Sequence, residues 1–179
     1  IGCIANESDL SDYFYEISRI TEQCKDLDLL LNPSKTKEML FSTRRDKPVS
    51  PALKIDDVEI EFCDNVKYLG ILVDNKLRFE EHVQNTVTKA SQRMHIVRTF
   101  LYKSTKSLSA MLFKSFIISI LTYCIPILYP CVYAKEKRPM RKFFKEADRH
   151  ELPGISDLDT IIDKRTKTLI MSYIHDEEH

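Results

Sequence analysis

Apolar residues recur at every third or fourth position from residue 8 to residue 31, which predicts an amphipathic helix. The apolar positions are Leu10, Tyr13, Phe14, Ile17, Ile20, Cys24 and Leu27. Ser8 is the expected N-cap, and Asp9 and Asp12 suit the positive end of the helix dipole. Pro33 is expected to end the element.

Short runs in which apolar and polar residues alternate follow this helix, and they predict β-strands. The predicted strands are residues 37–42, 53–55, 58–62 and 68–73. Asp56 and Asp57 are expected to form the tight turn between the second and third strands, and residues 44–51 a charged, proline-bearing turn. The last run, YLGILV, predicts a single, nearly continuous strand that contains Gly70.

Helical spacing returns at Phe79. The stripe Val83, Val87, Ala90, Met94, Val97 and Leu101 predicts a helix of about five turns. A second helix, residues 108–124 with Ser104 or Ser107 as its cap, is apolar almost all round and is expected to be deeply buried. Helices are also predicted at residues 140–150 and 156–171, around a turn at Pro153 and Gly154. A helix and short strands followed by helices alone predict an α+β fold, with a boundary near residues 75–80.

One uncharged stretch, residues 115–134, is long enough to cross a bilayer. Pro126 and Pro130 interrupt it, and the apolar pattern begins earlier, in a segment that contains Lys114. We therefore predict a buried helix that stops at Pro126, and no membrane partner, although a hydropathy test could select this stretch.

Composition excludes several classes of protein. The chain has 179 residues, of which 43% are hydrophobic and 30% charged, as in a globular protein. Its three glycines are too far apart for a phosphate-binding loop or a dinucleotide-binding motif. Its five cysteines are widely spaced and do not group with histidines, so no metal site is predicted and free thiols indicate the cytoplasm or nucleus.

Charge is segregated along the chain, although 27 basic residues balance 27 acidic ones. Residues 83–149 hold 13 basic and 3 acidic residues, whereas residues 1–34 hold 2 and 7. Basic residues on an amphipathic helix often lie on its solvent-exposed face without binding anything. An excess of this size is more typical of a surface that binds nucleic acid.

Several strings, in this order and at this spacing, resemble the reverse transcriptase of non-LTR (LINE-type) retrotransposons. They are LNPSKTKEMLF at 31–41, PALKIDDVEIE at 51–61, VKYLGILVDNKLRFEEHV at 66–83, FKSFIISILTYCIPILYP at 113–130 and FFKEADRHELPGISDLDTIIDKR at 143–165. The resemblance implies a partial palm at 1–78, thumb helices at 79–134, and a basic connector with a C-terminal helix at 135–179. The palm would contain a helix, a lysine motif and strands like those of the primer grip.

The resemblance places residue 1 just after the family's Tyr-Xaa-Asp-Asp hairpin, which binds two Mg²⁺ ions together with an earlier Asp. That motif is absent, and the only adjacent aspartates, Asp56 and Asp57, are expected to be a turn. The chain is therefore expected not to polymerise alone, and to bind no cofactor and no small-molecule substrate of its own. Its implied partners are the N-terminal palm and fingers, and a template–primer.

The resemblance also implies roles for single residues. Lys35 lies in the lysine motif, where it could donate a proton to the leaving pyrophosphate, neutralise phosphates or simply be solvated; Lys37 is the second choice. Tyr68 and Gly70 lie in the KYLG string, which resembles a primer grip but could equally be a buried strand with a bulge.

The predicted thumb offers three cations that could contact template–primer phosphates. Lys89 and Arg93 are four residues apart on one helix face, and Arg98 lies nearby in sequence.

An alternative is a non-catalytic structural or nucleic-acid-binding module. The segment around KYLG also resembles a small domain found at the N-terminus of AlkB-homologue dioxygenases, which are associated with a methyltransferase. That oxygenase chemistry needs a His-x-Asp…His iron triad. No His-x-Asp occurs in the chain, so we reject the activity.

Overall fold

The computed structural model describes residues 7–41 and 52–176, and the chain divides into two compact units, Ile1–Leu77 and Arg78–His179. The first unit combines one long helix with short strands, and the second consists of helices. This mixture is compatible with the predicted α+β class. Ser42 and the predicted turn at 44–51 lie outside the described residues.

The first unit contains one α-helix, a 3₁₀ turn and six short strands. They are α1 (Glu7–Asp26), the 3₁₀ turn (Pro33–Lys35), β1 (Lys37–Glu38), β2 (Lys54–Ile55), β3 (Val58–Glu59), β4 (Glu61–Phe62), β5 (Asn65–Tyr68) and β6 (Ile71–Asp74). They form three two-stranded sheets: β1 with β4 in parallel, β2 with β3 and β5 with β6 antiparallel.

Helix α1 ends earlier than its apolar pattern predicts, because the backbone of Asp28 is left-handed, with φ 55°. The amide of Leu29 donates to the carbonyl of Cys24 at 2.8 Å, and that of Asp28 to Lys25 at 3.0 Å. These two bonds form a Schellman motif, which satisfies the last carbonyls of the helix. Pro33 therefore begins the 3₁₀ turn instead of ending α1, and Ser8 lies within the helix.

A small core holds the first unit together. Leu53, Ile55 and Ile60 are buried, and Phe14 and Ile17 of α1 pack against them with Leu31. The predicted alternation of Val58, Ile60 and Phe62 is only partly confirmed, since Val58 and Phe62 are exposed. Asp56 and Asp57 do form the predicted tight turn, with both φ angles positive, as a two-residue hairpin requires.

The prediction of one continuous strand over YLGILV is wrong. Tyr68 pairs with Ile71, and Leu69 and Gly70 form a two-residue turn between β5 and β6. Their φ angles are 47° and 86°. Both central residues of such a hairpin turn need positive φ, which glycine adopts freely and leucine does not. The apolar run therefore folds back on itself at Gly70.

The second unit consists of six helices and one π-helical segment among the described residues. They are α2 (Glu80–Leu101), α3 (Lys106–Phe113), the π segment (Lys114–Ile118), α4 (Ser119–Leu121), α5 (Ile125–Leu128), α6 (Ala134–Arg149) and α7 (Leu158–Asp176). Four residues of the predicted stripe of α2 are buried: Val83, Ala90, Met94 and Val97. The cap of α3 is Thr105, whose side chain accepts from the amide of Leu108 at 3.3 Å, and not Ser104 or Ser107.

The predicted buried helix is confirmed in part. Helix runs without a gap from Lys106 to Leu121, and Phe113, Ile117 and Leu121 are fully buried. Its other side is exposed at Met111 and Phe116, so the helix is not buried all round. Within the described part of the chain, no helix is both long and apolar enough to cross a membrane.

Pro126 lies in the first turn of α5 instead of ending the preceding helix directly. Proline has no amide hydrogen, so the carbonyl of Thr122 loses the bond that an i+4 residue would donate. The amide of Ile125 donates to this carbonyl at 3.4 Å, and Nη1 of Arg165 on α7 donates to it at 2.6 Å. The arginine thus supplies the shorter of the two bonds that this carbonyl accepts.

Helix α6 begins six residues before its predicted start, at Ala134, and includes Pro139. Met140, Phe143, Phe144 and Ala147 form its buried side. A Schellman motif closes it: Leu152 donates to Ala147 at 3.1 Å and Glu151, with φ 49°, to Asp148 at 2.9 Å. The turn at Pro153 and Gly154 follows as predicted, and Asp157 then caps α7 through the amide of Thr160 at 3.0 Å.

Candidate nucleic-acid interface

Lys35 lies on the surface of the first unit. Pro33 fixes the first φ angle of the 3₁₀ turn, and the amide of Lys35 donates to the carbonyl of Asn32 at 3.1 Å. The side chain is exposed and has no ion-pair partner among the described residues. Lys37, in contrast, forms an ion pair with Glu61 on β4. Of the two lysines, only Lys35 therefore keeps its charge available to an anion.

The β5–β6 hairpin presents apolar side chains at its tip. Tyr68 is 66% exposed and Leu69 72% exposed. Gly70 supplies the positive φ that the turn needs. A leucine held with positive φ at an exposed tip is unfavourable for stability, and strain of this kind concentrates where surfaces bind. The tip can stack on or pack against a partner, but it carries no charge.

The three cations predicted on α2 do not form one cluster. Successive residues of an α-helix turn by about 100°, so Lys89 and Arg93 lie about 40° apart but Arg98 lies about 180° from Lys89. Nη1 of Arg93 donates to the carbonyl of Phe116 in the π segment at 3.4 Å. Nε of Arg98 pairs with Glu146 on α6 at 3.1 Å. Arg93 and Arg98 thus flank the buried stripe of α2 on opposite sides.

Lys89 is the most available of these three charges. Its side chain is exposed, with no ion-pair partner within the described ranges. Its charge contributes, after burial, to lowering the pKa of His82 on the preceding turns of α2. His82 is therefore held neutral near pH 7, so it adds no charge to the basic surface.

Helix α6 carries the densest group of cations. Seven lysines and arginines lie on this helix: Lys135, Lys137, Arg138, Arg141, Lys142, Lys145 and Arg149. Six of them lie away from its buried residues, and Lys137 lies beside the buried Phe144. Because side chains three, four and seven positions apart share a helix face, the signal for this surface was present in the sequence. A basic connector was predicted from residue 135, but these individual positions were not.

Four of the seven cations on α6 have partners. Lys135 pairs with Glu136 at 3.1 Å and Glu80 at 3.7 Å. Arg149 pairs with Glu146 at 3.3 Å. Nζ of Lys137 lies 4.1 Å from the centre of the Tyr129 ring, a cation–π contact.

Arg141 is the fourth, and it joins three helices. Its Nη2 lies 3.1 Å from Asp159 on α7 and donates to the hydroxyl of Tyr129 at 3.0 Å, while that hydroxyl donates to Asp159 at 2.8 Å. The bonds from Tyr129 and Arg141 lower the pKa of Asp159. Burial, followed by the hydrogen bond to Asp159, raises the pKa of Tyr129. This network orients α6 and does not leave Arg141 available for a ligand.

The described residues do not fit the two Mg²⁺ ions of a polymerase. No group of three or more His, Cys, Asp or Glu side chains that could hold a metal occurs within 7–41 and 52–176. Asp56 and Asp57 occupy the tight turn between β2 and β3, and Asp56 pairs with Lys25 of α1 at 2.6 Å.

Two known proteins are similar in sequence to about half of this chain. A segment of 95 residues, 52% of the chain, is 33% identical to "Probable RNA-directed DNA polymerase from transposon BS" of Drosophila melanogaster. A segment of 98 residues is 28% identical to "Probable RNA-directed DNA polymerase from transposon X-element" of the same fly. The chain is similar to transposon-encoded RNA-directed DNA polymerases. Each match spans one tenth of the length of the relative.

This similarity supports the reverse-transcriptase-like character that the sequence motifs predicted. No family model matches the chain, and no solved structure matches it. Neither of the two relatives supports the alternative of a dioxygenase-associated module. The assignment of palm and thumb remains a prediction.

Proposed function

We propose that this chain is the palm-to-thumb part of a transposon reverse transcriptase, and that its helical unit holds the template–primer. The similarity of half the chain to two RNA-directed DNA polymerases carries this proposal. The excess of cations over residues 83–149 supports it, because phosphate contacts provide most of the affinity of proteins for a duplex. These contacts would position the duplex without reading its sequence.

The first unit would meet the primer end. Tyr68 and Leu69 at the tip of the β5–β6 hairpin offer a stacking and packing surface, as in a primer grip. The exposed ammonium of Lys35 would neutralise phosphate charge or donate a proton to the leaving pyrophosphate.

Catalysis would require a group of metal-binding carboxylates, and none occurs among the described residues. Two-metal polymerases stabilise the attacking and leaving oxygens with ions held by aspartates. The adjacent aspartates of this chain form a hairpin turn, and one of them is ion-paired. We therefore propose that the chain binds template–primer but does not extend it alone.

Two measurements on the purified 179-residue chain test these proposals. Fluorescence anisotropy with a labelled RNA–DNA duplex should show binding whose affinity falls steeply with salt. Primer extension on the same duplex, with Mg²⁺ and deoxynucleotides, should give no product. Absence of duplex binding at low salt would contradict the first proposal, and Mg²⁺-dependent extension would contradict the second.

A further inference from the structure

Three cations at the centre of the basic side of α6 differ from their neighbours. Arg138, Lys142 and Lys145 are exposed, and their side chains have no hydrogen-bond or ion-pair partner among the residues that the structure describes. Their spacing of four and three residues aligns them on one face over about 10 Å of helix. We call these three residues the α6 stripe.

Two carboxylates close to the stripe are engaged by other cations: Asp159 binds Arg141, and Glu146 binds Arg98 and Arg149. Asp148, three residues after Lys145, is exposed and forms no ion pair among the described residues. The paired cations therefore border the stripe, and the uncompensated positive charge of α6 is concentrated at its centre. Such a row of charges attracts a polyanion whose own charges recur along a line.

The other side of α6 is fixed in the unit. Met140, Phe143, Phe144 and Ala147 are buried, and Arg141 is held by Tyr129 and Asp159. The backbone of the stripe is thus oriented before a ligand arrives, which lowers the entropic cost of binding. The same burial argues against a lipid surface, because an interfacial helix must insert its apolar face into the membrane.

We propose that the α6 stripe binds the phosphates of a nucleic-acid duplex and is the main phosphate contact of the helical unit. This inference rests on the proposed function, and it moves the principal contact from Lys89 and Arg93 of α2 to Arg138, Lys142 and Lys145 of α6. A row of two lysines and one arginine would contact the phosphate backbone, which carries no sequence information.

The test compares three variants of the full chain with the wild type, using the labelled RNA–DNA duplex over a range of salt concentrations. The stripe variant is R138Q/K142Q/K145Q, and glutamine preserves helix propensity. The matched control, K103Q/K164Q/K167Q, removes the same charge from exposed residues without described ion pairs. The third variant, K89Q/R93Q, removes the contacts that were predicted on α2.

The stripe variant should lose roughly tenfold in affinity, and the slope of log affinity against log salt should fall by about three, one for each lost phosphate contact. The control should keep the wild-type slope. Equal losses of affinity in the stripe variant and the control would overturn the inference, since the total charge and not its position would then determine the affinity. A larger loss in K89Q/R93Q than in the stripe variant would also overturn it. If the wild type binds no duplex but binds anionic vesicles, the proposed function fails as well.

A chemical footprint on the wild type tests the inference without any substitution. The duplex should protect Lys142 and Lys145 from acetylation and leave Lys164 and Lys167 reactive. Equal reactivity of all four lysines with saturating duplex would overturn the inference even if the stripe variant failed to fold.

Discussion

The two units of this chain use their apolar residues differently. Among the described residues, the first unit buries three apolar core residues and the second buries twenty. The first unit exposes eleven large apolar side chains against its three buried ones, whereas the second exposes thirteen against twenty. Stability on folding comes mainly from buried apolar area, so the helical unit should dominate the stability of the chain. The exposed apolar side chains of the first unit are more typical of a contact surface than of a unit with its own large core.

The largest effect that sharpens this comparison is expected at the centre of the helical core. Phe113 is fully buried at the junction of α3 and the π segment. Phe113→Ala should lower the free energy of unfolding by about 3–5 kcal/mol, because it removes apolar contacts and leaves a cavity. Urea denaturation followed by far-ultraviolet circular dichroism measures this loss. Met111→Ala, on the exposed side of α3, is the control, and an equal loss there would contradict the comparison.

A smaller effect is expected from the bond that replaces a backbone interaction. Arg165→Met keeps much of the side-chain volume but leaves the carbonyl of Thr122 without its guanidinium donor. The free energy of unfolding should fall by about 1–3 kcal/mol, because a hydrogen bond from a charged donor is lost and only the longer bond from the amide of Ile125, at 3.4 Å, remains. Lys164→Met is the neighbouring control on the exposed side of α7. If both variants melted at the same temperature, the bond would contribute nothing.

Substitutions at the hairpin tip of the first unit should change the stability of the hairpin by about 1–2 kcal/mol or less. Gly70→Val should destabilise the hairpin by that amount, because a β-branched residue is strained at φ 86°. Leu69→Asn should have the opposite sign, since Asn-Gly is the preferred sequence of such a turn. Hydrogen exchange of the β5 and β6 amides measures both changes. Faster exchange in Leu69→Asn would show that leucine is not strained there.

The smallest expected effect is a difference in pH dependence between the units. In the first, burial raises the pKa of Glu38 above its ordinary 4.5, although the hydrogen bond from Tyr13 opposes this. The folded state favours the protonated acid, so the stability that Glu38 contributes is fully present below pH 4.5 and is lost as pH rises through the raised pKa. In the second, burial and Lys89 lower the pKa of His82 below 6.5. The stability that His82 contributes is therefore present above pH 6.5 and is lost as pH drops through the lowered pKa.

Thermal melting across this pH range checks both signs. Glu38→Gln should remove the loss of stability that occurs when the pH is raised. His82→Gln should remove the loss of stability that occurs when the pH is lowered. The two substitutions should act in opposite pH directions. A common direction would show that the two groups do not titrate as their surroundings predict.

The long elements could be predicted from the sequence because each carries a sustained period. The stripe of α2 is an example, whereas the turn at Asp56 and Asp57 could be predicted from its residue types. The YLGILV run could not be interpreted from period alone, because an apolar run does not show that Leu69 adopts a positive φ. The carbonyl of Thr122, which Pro126 cannot bond, accepts from Arg165. That residue is 39 positions after Pro126 in the chain and is close only after folding.

The candidate interface was predicted at the level of charge and not of individual contacts. The excess of cations was visible in the sequence, but whether a cation is free depends on tertiary partners. Arg98 is paired with a carboxylate 48 residues away. Helical geometry alone would have separated Arg98 from Lys89, and spacing alone would have aligned Arg138, Lys142 and Lys145. The roles of Lys35, Tyr68 and Gly70 stay predictions.

The π segment has a consequence for insertions and deletions. Its i→i+5 bonds accommodate one residue more than an α-helical turn would hold between Lys114 and Ile118. Deleting one residue there would restore regular α-helix and leave Leu121 and Thr122, both fully buried, facing the core, because the π turn already absorbs the extra residue. The same deletion in the regular turns of α3 would rotate everything downstream by about 100°. Single-residue deletions should therefore be better tolerated in the π segment than in the regular helix before it.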